Sequence, residues 1–155
     1  MRAALALSLL LACAPTEPVP SRGAAVEADA WHSAHDRAGL LAALQQAGHG
    51  AVVIDVRAAW CVPCLDLERT TLTDPRVRAA LRDHVRVQVD VTDGTAEQDA
   101  LQTALQTPTL PRLRAWSDAD ALRRALHGGT ALPPPAWDVT TYVDANELLA
   151  RIAAR

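Results

Sequence analysis

A short apolar run leading into a pair of cysteines constrains this chain more than any other feature. Ala51-Val52-Val53-Ile54-Asp55-Val56 is nearly continuous in its hydrophobicity, and Cys61-Val62-Pro63-Cys64 begins five residues later. A run that is β-branched and does not alternate reads as a strand buried on both faces. Leu65, Glu68 and Leu72 carry the cysteine segment on as a helix. The cysteines therefore stand at a strand-to-helix junction, in the first helical turn. Free backbone N–H groups and the positive end of the helix dipole favour an anion there. Cys61 is expected to be the exposed nucleophile with a lowered pKa. Cys64, one turn later on the same face, is placed to attack the resulting mixed disulfide. Pro63 fixes the turn and removes one competing amide.

Other uses of two cysteines are a static disulfide, half of a zinc site, or plain buried thiols. A structural zinc site needs four ligands. The third cysteine, Cys13, lies far away in sequence, and of the histidines only His32 and His35 are close together. A disulfide closing so small a loop adds little stability. The redox reading is preferred.

The remaining pattern supplies a frame for that junction. Ala34, Ala38, Leu41 and Leu44 fall at helical spacing, predicting a helix over Ser33–Ala47 that Gly48-His49-Gly50 stops. Asp74-Pro75 offers an N-cap and first-turn proline for a short helix through Leu81. Val85, Val87, Val89 and Val91 alternate with Arg86, Gln88 and Asp90, a strand of period two. Thr95 with Gln98 makes a capping box for a helix to about Gln106. A weak strand is expected over Arg112–Trp116, a short helix over Ala119–Leu126, a strand over Val139–Val143, and a last helix started by Asp144 and Glu147. Residues 117–137, with Gly128-Gly129 and Pro133-Pro134-Pro135, are the least legible stretch. The alternation predicts an α/β sandwich of three layers, a mixed central sheet with helices on both faces.

With 155 residues, half of them apolar, the chain holds one core of ordinary size. Net charge is −3 and all fifteen basic residues are arginines spread along the sequence. Nucleic acid is not expected as a partner, because no basic stripe exists. At the start, Met1-Arg2 is positive, Ala3–Leu11 is apolar, and Leu10-Leu11-Ala12-Cys13 resembles a lipobox, in which the cysteine takes lipid. A run of nine residues, eight of them apolar, falls short of the ~20 that span a bilayer. Ordinary cleavage after Ala14 is the alternative, against which Pro15 argues. The expected organisation is a signal over 1–13, a Pro- and Ala-rich linker over 14–28, and one domain over 29–155.

The stretch from Ile54 to Cys64, with Trp60 directly before the first cysteine, resembles the active-site segment of the thioredoxin superfamily. Thr73-Asp74-Pro75, the Val85–Val91 strand with Thr92, and Val139-Thr140 through Asp144-Ala145 narrow the resemblance. They point to the C-terminal periplasmic domain of thiol:disulfide interchange proteins of the DsbD type. It covers about Trp31 to Ile152 and implies a thioredoxin-like fold. By this resemblance Asp55 is the buried acid that helps deprotonate Cys64, and Glu68 is an acidic companion on the same helix face. Trp60 is implied to lie over the site. Leu110-Pro111 takes the place of a cis-proline that leaves backbone open for a substrate strand, with Pro108 as the other candidate. Arg57 stands where an aromatic is usual, and Arg112 and Arg114 bring charge into a strand expected to be apolar.

The function expected on these grounds is an exported thiol:disulfide oxidoreductase, reducing rather than oxidising. It is lipid-anchored at Cys13 on the periplasmic face of a bacterial membrane, or else soluble in the periplasm or secreted. Its partners are protein thiols and disulfides and a separate membrane or periplasmic electron donor. It needs no metal and no cofactor beyond the Cys61–Cys64 pair. The competing reading is a module that handles Cu(I) with the same two thiolates, which requires a third ligand beside them.

Overall fold

The computed structural model describes residues 30–154, and within them the central strand sorts its side chains to two cores. Strand β2 (Ala51–Arg57) is buried along its length. Val52, Ile54 and Val56 enter one hydrophobic cluster, and Val53 enters the other. Such two-sided burial requires cover on both faces, which is why the run does not alternate. β2 lies between β3 (His84–Asp90), parallel to it, and β4 (Arg112–Trp116), antiparallel. The edges are β1 (His32–Ala34), parallel to β3, and β5 (Trp137–Val139), antiparallel to β4. The sheet order is β1-β3-β2-β4-β5, so the sheet is mixed.

Helices α1 (Arg37–Ala47), α4 (Ala96–Leu105) and α5 (Ala119–Gly128) cover the first face. They contribute Leu40, Leu44, Leu101, Leu105, Leu122 and Leu126 to its core. Helix α2 (Val62–Asp66) continues into one wide π turn over Leu67–Thr71. That turn, α3 (Pro75–Ala80) and α6 (Ala145–Ala153) cover the second face with Leu67, Val77, Leu148 and Ile152. Truncating any fully buried leucine here to alanine should destabilise by about 2–5 kcal/mol. The fold is the expected three-layer, thioredoxin-like sandwich.

Local chemistry sets the element ends. Thr95 and Gln98 form both bonds of the capping box on α4. Asp74 caps α3 with Pro75 in its first turn. Asp118 caps α5, and Gly129, at φ +64°, ends it in a left-handed conformation that glycine adopts without strain.

Two boundaries differ from expectation. The first helix begins at Arg37, because the Asp36 carboxylate accepts from the Gly39 amide at 2.7 Å and fixes the start there. The residues ahead of it, His32–Ala34, pair with β3 instead of coiling. The last strand is Trp137–Val139, not Val139–Val143, because Trp137 and Val139 both fill the second core and Asp138 faces Arg114 across the strand pair. Among the described residues no helix is long and apolar enough to cross a membrane. Cys13, the signal and the linker lie outside the described residues.

Candidate active site

The loop leaving β2 delivers Cys61 to the N-cap position of α2. The Cys64 amide donates to Cys61 Sγ at 3.3 Å, so a helix-start N–H is aimed at this sulfur. Such a donor stabilises a thiolate over a thiol. The two cysteines are joined as a disulfide, with Cα atoms 5.2 Å apart. Cys61 keeps 6% of its surface and Cys64 1%. Cys61 is thus the outer sulfur of the pair, but it is not exposed as expected. It lies on the floor of a groove of roughly 630 Å3 whose walls include Trp60, Pro63, Pro108, Leu110, Asp99 and Gln102. The covering is physical: Leu110 packs against the same core cluster as both cysteines, and Pro111 is buried behind it. The Leu110–Pro111 peptide bond is cis, which decides between the two candidate prolines.

Trp60 belongs to the rim of the groove and not to the core. It is 66% exposed, and Val62 across the first cysteine is 65% exposed. The indole Nε1 donates to the Thr92 carbonyl at 3.1 Å, which orients the ring without burying it. Thr92 also accepts from the Ala59 amide through Oγ1 at 2.8 Å. The loop that leads to Cys61 is therefore pinned to the segment that follows β3.

Asp55 sits one full pleat before the end of β2, on the face opposite Ile54 and Val56, and is 1% exposed. Its Oδ2 accepts a long bond of 3.4 Å from Gln88 Nε2, and its Oδ1 has no hydrogen-bond partner. Burial pushes its pKa up to about 7. The Gln88 bond and the Arg57 charge act against that rise, and the Glu68 charge adds to it. A buried carboxyl that titrates near neutrality is suited to take and return a proton.

Glu68, on the wide turn after α2, does not bond Asp55. Both its oxygens face the Arg57 guanidinium, at 2.6 Å and 3.4 Å, and its Oε1 also accepts from Gln88 at 3.4 Å. Arg57 reaches Asp90 Oδ2 at 2.8 Å as well. Asp90 titrates below the ordinary carboxylate range: burial opposes its ionisation, and hydrogen bonds from Thr92 and Arg57 outweigh that. Gln88, Asp90 and Thr92 are members of the site that the sequence does not single out. Register exposes two of them, since Asp55 pairs with Gln88 and Arg57 with Asp90 across the parallel β2–β3 ladder. Among the described residues no group of three or more His, Cys, Asp or Glu is placed to hold a metal ion.

Comparison with known proteins agrees with this geometry. Residues 30–114 match the thioredoxin-like family model. The thiol:disulfide interchange protein DsbD of Salmonella choleraesuis (strain SC-B67) is 44% identical over 113 residues, covering 73% of this chain and 18% of the relative. That of Escherichia coli (strain K12) is 32% identical over the same length, with the same coverage. The chain thus spans less than a fifth of these curated relatives. Among solved structures, the C-terminal domain of DsbD from Neisseria meningitidis in the reduced form superposes with a TM-score of 0.53 at 21% identity, covering 86% of this chain and 96% of that one. A thioredoxin from Thermus thermophilus gives 0.56 at 18% identity, covering 79% and 85%. At these identities the structural likeness speaks for the fold. A matched family model over more than half of its length, laid on a mixed five-stranded sheet with a cysteine pair at a helix start, makes this chain a member of the thioredoxin-like family.

Proposed function

We propose that the chain is a thiol:disulfide oxidoreductase that reduces disulfides of protein partners outside the cytoplasm, tethered by lipid at Cys13. The observation that carries the reading is the Cys61–Cys64 disulfide at the start of α2, with its outer sulfur on the floor of an open groove. The DsbD relatives, named for thiol:disulfide interchange, support the same exchange chemistry.

In the reduced protein the Cys61 thiolate attacks one sulfur of a partner disulfide. A Cys61–partner disulfide forms, and the partner's second sulfur leaves as a thiolate that takes up a proton. The Cys64 thiol passes its proton to the Asp55 carboxylate and attacks the Cys61 sulfur. The Cys61–Cys64 disulfide closes and the partner's first sulfur leaves, protonated in turn. The partner gains two electrons and two protons; this chain, starting from the Cys61 thiolate, gives up two electrons and the Cys64 proton, and solvent supplies the other proton. A separate dithiol protein then reduces Cys61–Cys64 for the next round. Trp60 and Leu110, both in the wall of the groove, form the contact surface for the partner segment, and Pro111 shapes it through the cis bond that follows Leu110. Glu68 acts on Asp55 through its charge and through the Gln88 amide that both share.

Reduction of insulin disulfides by the reduced protein tests this reading. Cys61→Ser should abolish turnover, and Cys64→Ser should accumulate a mixed disulfide visible on a non-reducing gel. Turnover retained in Cys61→Ser would overturn the assignment.

A further inference from the structure

One of the most connected side chains in the site is one that the exchange chemistry does not use. Arg57, the last residue of β2, is 13% exposed at its side chain and spans two elements at once. Its guanidinium holds Glu68 with two N–H groups and Asp90 with a third. The far oxygen of Asp90, Oδ1, accepts from the Thr92 amide at 2.9 Å and from the Thr92 hydroxyl. Thr92 in turn receives the Ala59 amide and the Trp60 indole. One continuous set of contacts therefore runs from Glu68, through Arg57 and Asp90, to the residue that precedes Cys61.

We propose that Arg57 is a positioning residue for the exchange reaction, keeping Glu68 bonded to its guanidinium beside Asp55 and, through Asp90 and Thr92, fixing the Ala59–Trp60 segment that presents Cys61. The proposal rests on the oxidoreductase reading above. The charged groups acting on Asp55 are Glu68 from the wide turn and Arg57 from its own strand. Gln88 on β3 is its polar neighbour, and the facing residue on β4 is Leu113. Only Arg57 among these is a cation. Without it, Glu68 and Asp55 share a single amide, that of Gln88, and two neighbouring carboxylates resist ionising together. The fork geometry matters too: a lysine supplies the charge but cannot grip Glu68 with two N–H groups while reaching Asp90 with a third.

The test compares wild type, Arg57→Met and Arg57→Lys as full folded chains, with thermal unfolding checked first. Wild-type insulin reduction comes next, since a wild type that does not turn over insulin refutes the underlying reading and not this one. The Cys61 mixed disulfide with thionitrobenzoate is then prepared, and release of the coloured thiol by Cys64 is followed against pH. Arg57→Met should move the midpoint of that profile up by about one pH unit. Arg57→Lys should restore the midpoint but not the wild-type fluorescence of Trp60. An unchanged midpoint in folded Arg57→Met would refute the proposal. If Arg57→Met does not fold, Arg57→Lys with wild-type midpoint and wild-type Trp60 fluorescence would refute the positioning role equally.

Discussion

Two inward-facing aspartates sit in the same sheet and are treated in opposite ways. Asp138, on the edge strand β5, faces two arginines: Arg112 bonds its Oδ2, and Arg114 lies 3.3 Å from the same oxygen in the register position directly opposite. Arg114 is further held by the Leu105 carbonyl at 2.7 Å and lies over the Trp116 ring. Asp55, in the central strand, is more deeply buried and has no cation on either oxygen. The arginine nearest it in sequence is spent on Glu68 and Asp90. A carboxylate that serves structure is matched with cations, because a buried unpaired charge costs several kcal/mol. A carboxyl left without one keeps its proton to about pH 7 and can exchange it. The same side chain is thus braced by cations or left to titrate near neutrality, according to its neighbours.

The comparison breaks most visibly at Asp55. Asp55→Asn should slow insulin reduction at pH 7.5 by about a hundredfold, the scale of a lost acid–base group. The same change should stabilise the oxidised protein above neutrality. The unfolded carboxyl ionises near pH 4 and the folded one near pH 7, so wild-type stability falls as pH rises between those values and stays low above them. A tenfold change in an acid's ionisation constant on folding corresponds to about 1.4 kcal/mol. The asparagine variant, free of that cost, should melt higher than wild type at pH 8 and alike at pH 4. A lower melting temperature at pH 8 would contradict the role given to Asp55.

Asp138→Asn should do the reverse. It leaves Arg112 and Arg114 without their carboxylate, and urea unfolding should show a loss of about 1–3 kcal/mol, below the figure for a fully buried pair because Asp138 is partly exposed. Insulin reduction should remain at the wild-type rate in the folded variant; a tenfold loss would mean that the two clusters are not separate. Gln88→Leu is the smallest of the three. It removes the bond to Asp55 Oδ2, and the midpoint of exchange should rise by a few tenths on the pH scale. A downward movement would show that Gln88 acts otherwise than by stabilising the ionised carboxyl.

What the sequence showed, and what it did not, follows the same division between local and long-range chemistry. The strand into the cysteines, Asp74-Pro75 and the Thr95–Gln98 box are legible because each is settled by neighbours a few residues apart. Ala34 blurs the start of the first helix, since a buried alanine fits a helical stripe and a three-residue edge strand equally. Cap chemistry at Asp36 decides the matter. Cys61, Cys64 and Asp55 are visible through spacing and resemblance. Gln88 and Asp90 read as the solvent side of an alternating strand, yet they face Asp55 and Arg57 under the wide turn. Arg112 and Arg114 read as anomalies for the same reason, because their partner lies on β5, beyond the proline-rich stretch. Register supplies these pairs, and register is not written in one strand.

The most direct test follows Cys64 alone. With thionitrobenzoate linked to Cys61, closure of the Cys61–Cys64 disulfide releases one coloured thiolate, and its rate can be read against pH in wild type and Asp55→Asn. The wild-type rate should climb through about pH 7, where Asp55 gives up its proton, and the asparagine variant should lose that inflection. Superimposable profiles would show that Asp55 does not take the proton of Cys64.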